Sequence, residues 1–578
     1  MEGFPLKRAL LLLSIAALCF VSCSHGSASS DPLRAGSDGT QNATPVEAQT
    51  LTPAGERELR SVLLSGKLSE LQWPNFSQQN AAVKEFYDEA GYRLAWTISG
   101  KPTSQAIEVT KILGNADQKG LDSKDYDGER WPERLKHLQG PSAPSESVLI
   151  NFDVALTVSA IRYCTDLHLG KVDPRTLHKD FDPERKRHNA GEFLFEKVVR
   201  AQNVAAVLAP IEPPYPGYQR TLKALQLYLQ LAKQEVADPL PQVKKPVAPG
   251  EQYEAVAKLV RRLQFLGDLP ASANVPTSQS YSGEVVDGVK RFQTRHGLEA
   301  AGKLGPQTIT ELNRSMADRV HALKLTLERW RWAPHDLTQP IIVNIPEFVL
   351  RALDAPGKPG LTMRVVVGHA VRTQTPVMEE DMKYVVFWPY WNVPPSILRG
   401  EIIPKIMKDR AYLQKNNFEV ATYSGKTVTD GVVSEDVLAQ LRGGKLMVRQ
   451  KPGPKNALGL IKFIFPNDQN IYLHSTPAQS LFSQTRRDFS HGCIRVEDPK
   501  ALAEWVLRNN PGWTHDRIEA AFKAEKEQQV NLTNTIPVLI VYGTAIASED
   551  GQIYFFDDLY GYDKALAKHF DQVYAFQQ

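Results

Sequence analysis

The sequence predicts an α+β chain: a helical N-terminal region, a small three-helix module, and a strand-rich C-terminal region carrying a helical insertion. Three observations predict it. Residues 51–237 hold long segments with apolar residues at helical spacing, such as RELRSVLLSGKL and SVLINFDVALTVSAIRYCTDLHLG. Residues 251–315 hold three shorter ones, with Val285, Val289 and Phe292 on one face. From about residue 318 the text turns to runs rich in β-branched and aromatic residues, PIIVNIPEFVLRAL, MRVVVG and YVVFWPYWNV.

At 578 residues the chain is too long for one hydrophobic core, and two to four domains are expected. Hydrophobic residues make up 42% and charged residues 23%, an ordinary globular balance. The net charge of +3 is small for this length, which argues against a dedicated nucleic-acid binder.

The amino terminus, MEGFPLKR followed by ALLLLSIAALCFV, reads as a secretory signal over residues 1–23, too short for a comfortable membrane span. Its end, FVSC, resembles a bacterial lipoprotein box. Lipidation at Cys23 would anchor the mature protein, and Ser24 after it suits the outer membrane of a Gram-negative cell. Simple cleavage to a soluble periplasmic protein is the alternative. Residues 24–50, rich in Ser, Gly, Thr and Ala, read as a flexible tether.

Within residues 51–237, Gly91, Gly120 and Gly170 are placed to end helices. The acids and bases there are scattered along solvated faces, and the region reads as a spacer. Cys164 lies in an apolar helical stripe and reads as an inert buried thiol. Residues 238–250 are Pro-rich and form a semi-rigid linker. In the module at 251–315, His296 reads as a surface or loop residue. The strand-rich region covers 318–548, with its helical, charged insertion at about 395–448. Residues 549–578 are expected to pack on that region as an extension. Asp557, Asp558 and Asp563 there read as surface acids and caps.

The chemistry concentrates in residues 471–496, IYLHSTPAQSLFSQTRRDFSHGCIRV. IYLH alternates apolar and polar and reads as a strand; IRV is another, and SHGC between them is a tight loop. Cys493 follows His491 and Gly492, and His474 lies nineteen residues upstream of it. A thiol is an acyl-transfer nucleophile as its thiolate, and a nearby imidazole can take its proton and return it to a leaving amine. Gly492 would let backbone N–H groups point at a developing oxyanion. A buried structural cysteine beside an incidental histidine is the bland alternative. A zinc site from His369, His474, His491 and Cys493 matches no standard spacing.

His474-Ser475 together with Ser490-His491-Gly492-Cys493 resembles the signature of L,D-transpeptidases, the YkuD-type enzymes that cross-link bacterial peptidoglycan. The resemblance implies His474 as general base and Cys493 as nucleophile, with Ser490, His491 and Gly492 shaping the oxyanion loop and Tyr472 nearby. Arg495 stands where many members have Asn; this resembles the large periplasmic branch and implies a cation facing a substrate carboxylate. YDEAGYRLAW and DLHLGKVDP resemble that branch's scaffold domain, and FQTRHGL with AAGKLGPQT a small peptidoglycan-binding domain. VNIPEFVL, TQTPVM and FWPYWNVPPSI resemble the opening of the catalytic domain, and 395–448 matches its lid in position. Trp391 and Asn392 either line the substrate groove or pack in the core. Arg449 and Asn456, with Gln450 and Lys462, resemble groove residues, a solvated face being the alternative. Ser475 is placed beside the substrate by its neighbour.

The implied reaction is two-step acyl transfer. Cys493 takes a tetrapeptide stem at its third residue and releases D-Ala; the amine of a second stem then takes the acyl group, forming a 3→3 cross-link. No metal or organic cofactor is called for, and the resemblance implies acylation by carbapenems. The partners are peptidoglycan stems as donor and acceptor, together with wall synthases; membrane contact comes only through the N-terminal lipid, and nucleic acid is not among them. An L,D-carboxypeptidase or a thiol acyltransferase joining protein to wall shares the first half-reaction. A non-catalytic wall-binding lipoprotein is the reading of another class.

Overall fold

The structure is a computed structural model that describes residues 49–179, 181 and 189–574. The expectations for the signal, for Cys23 and for nearly all of the tether lie outside the described residues. The architecture is α+β, with helices leading and a sheet-rich C-terminal region.

The first region is built around helix Glu146–Leu169, whose residues are buried on almost every side. A helix apolar all round belongs in a core, and this one is enclosed by helices Pro53–Ser65, Asn80–Glu89 and Ser104–Gly114. Ser145 caps its start by accepting from the Val148 N–H, and Gly170 ends it at φ +86°. Cys164 is buried there, and burial pushes its thiol up to about 12.

The middle module consists of helices Val256–Leu266, Glu284–Arg295 and Pro306–Leu312. Its core also includes helix Pro216–Gln234 and the linking helix Met316–Trp332. The sequence grouped Pro216–Gln234 with the first region, whereas its apolar face packs here. His296 is a correction. It is 3% exposed, stacked on Phe292 at 3.8 Å between centroids, with Nδ1 donating to the Phe292 carbonyl and Nε2 facing Arg319 at 2.5 Å. An Arg can only donate, so that ring is neutral and is a packing element.

The strand-rich region closes on itself. Strands run Asp488–Ser490, Lys358–Gly368, Ile494–Val496, Leu473–His474, Ile461–Ile464, Met378–Phe387, Gln528–Val541, Ile341–Asn344 and Val349–Ala355, and the last pairs back onto Lys358–Gly368. Eight strands therefore form a ring with Asp488–Ser490 added alongside, which removes most of the open edge. Alternate residues, among them Val365, Val385, Ile461, Phe463, Leu473, Ile494 and Val538, share one hydrophobic core with helix Pro499–Leu507. The residues between them point to the opposite face.

The insertion departs from expectation. It is not purely helical: strands Trp391–Asn392, Met447–Gln450, Phe418–Ala421 and Thr427–Thr429 form a separate four-stranded sheet, which helices accompany. It has its own core, including Ile397, Ile406, Leu413, Val420, Leu438 and Val448. Short strands separated by Gly and Lys carry too few residues for a clear alternation, which is why the sequence reads as helix and loop.

The C-terminal extension also does more than cover the barrel. Hairpin Ala545–Ala547/Ile553–Phe555 packs into the middle module's core, while Tyr560, Leu566 and Phe570 enter the barrel's core. The Tyr574 hydroxyl donates to Asp166 of the long N-terminal helix at 2.8 Å, alongside Tyr126 at 2.7 Å. This last segment therefore ties all three regions together. Asp558 behaves as the sequence suggests for a cap, its carboxylate accepting from the N–H groups of Asp563 and Lys564. Asp563 is a correction, since its carboxylate is buried, pairs with Arg329 at 2.5 Å and accepts from the Thr544 hydroxyl.

Candidate active site

Cys493 and His474 are brought to one face of the barrel by two short parallel strands. Leu473 pairs with Ile494 and His474 with Arg495. Leu473 and Ile494 are fully buried in the core, so Tyr472 and His474 on one strand, and Cys493 and Arg495 beside them, share the other face. The Tyr472 and His474 rings are 5.8 Å apart between centroids. On the far side of His474, Lys462 continues the same row.

The imidazole is fixed by its own backbone. Its Nδ1 lies 2.5 Å from the Ser475 carbonyl oxygen. A nitrogen facing a carbonyl carries the proton, so Nε2 is left as the basic nitrogen. Burial first, and the Arg495 charge second, push the ring down to about 3, against the opposing pull of the Ser475 and Leu458 carbonyls. Ser475 is buried, its N–H donates to the Ile461 carbonyl at 2.9 Å, and Gly459 passes so close that a Cβ there would collide with the Ser475 side chain. Gly459 is also at φ +63°, so two independent constraints require glycine.

The thiol is partly exposed. Burial pushes it up to about 11, against hydrogen bonds from the Tyr472 backbone and phenol and the nearby Arg495 charge, all of which favour the thiolate. Sγ also lies 3.5 Å from the Asn470 carbonyl oxygen. At rest, then, burial favours the neutral form of both groups, a thiol and an unprotonated imidazole on the same face of the barrel.

The loop that carries Cys493 is closed by Ser490. The Ser490 hydroxyl accepts from the Gly492 N–H at 3.1 Å and donates to the Cys493 carbonyl at 2.5 Å. Gly492 sits at φ +114°, where a side chain is strained. One expectation changes: the Gly492 N–H is already committed to Ser490 and does not point into an open oxyanion site. Behind the loop, buried Thr375 donates to the Gly492 carbonyl at 2.7 Å and accepts from Gly368 N–H at 2.8 Å. Tyr560 donates to the Gly368 carbonyl at 2.6 Å. Thr373 donates to the Ser490 carbonyl at 2.9 Å. The sequence singled out none of these three. TQTPVM lies more than a hundred residues from Cys493, and only the pairing of Asp488–Ser490 with Lys358–Gly368 brings them together.

His491 points away from the thiol. Its Nε2 meets Glu401 Oε1 of the insertion at 2.7 Å, both side chains being about half exposed. It links the loop to the lid.

Arg495 keeps a buried Nε without a hydrogen-bond partner, and among the described residues it forms no ion pair. The proposed groove residues separate. Trp391 and Asn392 pair with Gln450 and Arg449 inside the insertion's sheet; Trp391 packs on Phe418 at 6.1 Å and Asn392 is exposed. Arg449 is tied to Glu419 at 2.5 Å and lies 4.3 Å over the Tyr390 ring, so its charge is answered within the subdomain. Asn456 is a correction. It is fully buried, its amide donates to the carbonyls of Pro389, Gln450 and Lys451, and its Oδ1 accepts from the Leu458 N–H. Every lone pair it could offer a substrate is enclosed, and it braces the turn leading toward His474.

A partly exposed cysteine, an imidazole whose Nδ1 faces a backbone carbonyl and an arginine without an ion pair among the described residues thus share one face of a ring of strands. In comparison with known proteins, residues 338–526 match the L,D-transpeptidase catalytic domain of the YkuD family, 252–312 the domain described as "Putative peptidoglycan binding domain", and 81–225 the scaffold domain. A protein of Haemophilus influenzae named "Putative L,D-transpeptidase" is 33% identical over 244 residues, covering 42% of this chain and 48% of its own length. The chain thus spans about half the length of the curated relative it matches. A crystal structure of an L,D-transpeptidase from Xylanimonas cellulosilytica is 13% identical, covering 52% of this chain and all of its own, at a TM-score of 0.16, a likeness too low to carry an argument. The chain carries a YkuD-type L,D-transpeptidase catalytic domain, which stands behind a scaffold domain and a peptidoglycan-binding domain.

Proposed function

We propose that the protein joins peptidoglycan stems by 3→3 cross-links in the periplasm, through an acyl-enzyme on Cys493. The observation that carries this reading is the shared face of Tyr472, His474, Cys493 and Arg495, with His474 Nε2 left basic by the Ser475 carbonyl. A tetrapeptide stem bears carboxylates, and on this face Arg495 is a guanidinium that forms no ion pair among the described residues.

The carboxylate answers a specific problem. At rest the Arg495 charge opposes an imidazolium at His474. A substrate carboxylate paired with Arg495 cancels that charge, so substrate binding itself makes His474 a better base. The thiol proton then passes to Nε2 as the sulfur attacks the carbonyl of the third stem residue. With the Gly492 N–H committed, the Cys493 N–H and the Tyr472 hydroxyl hold the oxyanion. The tetrahedral intermediate collapses, the C–N bond to D-Ala breaks, and the His474 proton goes to the departing amine, leaving a thioester. The acceptor amine then loses a proton to His474, attacks the thioester, and frees the thiol.

Incubating the protein with tetrapeptide muropeptides and separating the products tests the reading. Dimers of 3→3 linkage with free D-Ala support it. Tripeptide monomers alone replace it with a carboxypeptidase, and unchanged tetrapeptide removes catalysis from the account.

A further inference from the structure

A cleft of about 840 Å³ lies where the peptidoglycan-binding domain, the barrel and the C-terminal segment meet. Its walls come from Thr294 and Gly297 to Ala300 with Gln307 of the first, from Pro346 to Phe348 with Arg364 and the Ser483–Phe489 segment of the second, and from Phe556, Asp557 and Leu559 of the third. The volume is in the range of small-molecule sites, roughly 300–1,000 Å³.

Its charges are already answered. Arg364 is paired with Glu497, Arg486 with Asp488 at 2.6 Å, and Glu347 with Arg351 at 2.7 Å. Arg487 donates to the carbonyls of Val365, Phe348 and Gln484. Glu299 and Asp557 remain on the module and C-terminal walls, so an anionic peptide is disfavoured. Aromatic faces are present instead: Phe489 is 39% exposed, and Phe556 lies against Gly297, where a Cβ would touch its ring at 3.0 Å. Neutral hydrogen-bonding groups such as Thr294, Gln307 and Gln484 surround them. A neutral ligand with apolar faces and many hydroxyl and amide groups fits this lining, and that is the description of an N-acetylated sugar chain. The catalytic face, with its unpaired Arg495, has the opposite character.

We propose that this cleft binds the glycan strand of peptidoglycan, seating sugar rings against Phe489 and Phe556 while the attached stem reaches Cys493. Phe489 precedes Cys493 by four residues, so the two lie within about 15 Å along the chain. The inference rests on the transpeptidase reading, and divides recognition between a neutral cleft for sugar and a cationic face for peptide.

The test uses the full chain, with chitohexaose and peptide-free glycan strands as probes in calorimetry. Saturable binding is expected for the wild type and for Cys493→Ala. Thr294→Trp, which fills the rim from an exposed position, and Gln307→Ala are each expected to weaken it about tenfold or more. Acylation of Cys493 by a sugar-free tetrapeptide stays unchanged in both variants. Absence of saturable glycan binding overturns the proposal, as does equal binding by folded variants or displacement of the glycan by sugar-free stem. Glycan binding that persists while Cys493 is acylated by no muropeptide supports the cleft and instead removes the transpeptidase reading.

Discussion

His474 and Arg495 pair in register on neighbouring parallel strands, with their side chains on the same face of the barrel. The guanidinium depresses both titrating groups of the site: it favours the Cys493 thiolate and opposes the His474 imidazolium. In the proposed mechanism this one cation would therefore help the nucleophile and hinder the base until a substrate carboxylate neutralised it.

Replacing it should separate those effects. In Arg495→Gln, kcat/KM for a tetrapeptide stem should fall about 10- to 100-fold, the value of a charged hydrogen bond lost. Alkylation of Cys493 by neutral iodoacetamide should slow by less, because only the thiolate population changes. Equal losses in the two assays would exclude a carboxylate contact.

The high thiol pKa is directly measurable. With Cys493 pushed up to about 11, the free enzyme's alkylation rate should keep rising above pH 9 without a plateau. A plateau near neutrality, reported by mass spectrometry of the labelled protein, would show a preformed thiolate.

His474 makes the opposite statement about acid. Its folded value is lowered to about 3, below the ordinary value of about 6.5. The unfolded chain thus takes up a proton below about pH 6.5 that the folded chain refuses. This contribution to stability is complete above that pH and is lost as pH falls toward 3, with a slope of up to about 1.4 kcal/mol per pH unit. His474→Asn should flatten the fall in Tm between pH 6.5 and 4; an unaltered profile would contradict the buried neutral ring.

Thr375→Val keeps the shape of the side chain but removes the bridge between Gly368 and Gly492. It leaves a buried N–H and carbonyl unmatched, at about 1–3 kcal/mol. Because the Gly492 carbonyl belongs to the nucleophile loop, kcat should fall with KM little changed, and Thr375→Ser should restore most of it. A pure loss of Tm with normal kcat would mark the residue as structural only.

Asn456→Ala should behave differently from a groove mutant. Three buried carbonyls lose their donor, so denaturant unfolding should show a loss of about 2–4 kcal/mol. A stable variant with only a raised KM would return Asn456 to the groove.

The sequence made the order of helical and strand-rich regions legible because periodicity over ten or more residues survives local noise. The strand–loop–strand layout of residues 471–496 was legible for the same kind of reason: Leu473–His474, the Ser490–Cys493 loop and Ile494–Val496 are shaped by neighbours a few residues away. Ser490, for example, closes its own loop. Contacts set by strand pairing at long range were not legible. Thr375 and Tyr560 reach the nucleophile loop only after the ring closes, and Glu401 reaches His491 only after the insertion folds over it. Asn456 and His296 misled because polar residues read as exposed until their partners are known; each is buried with its hydrogen bonds satisfied by backbone or by Arg319. The insertion's sheet was missed because strands of two to four residues leave almost no pattern.

The most direct measurement is the intact mass of the protein, quenched during turnover with a disaccharide-tetrapeptide and then mapped by peptide. The account predicts a disaccharide-tripeptide adduct on Cys493, equimolar release of D-Ala, and neither product from Cys493→Ala. D-Ala release or dimer formation that persists in Cys493→Ala, or an adduct on any other residue, would contradict it.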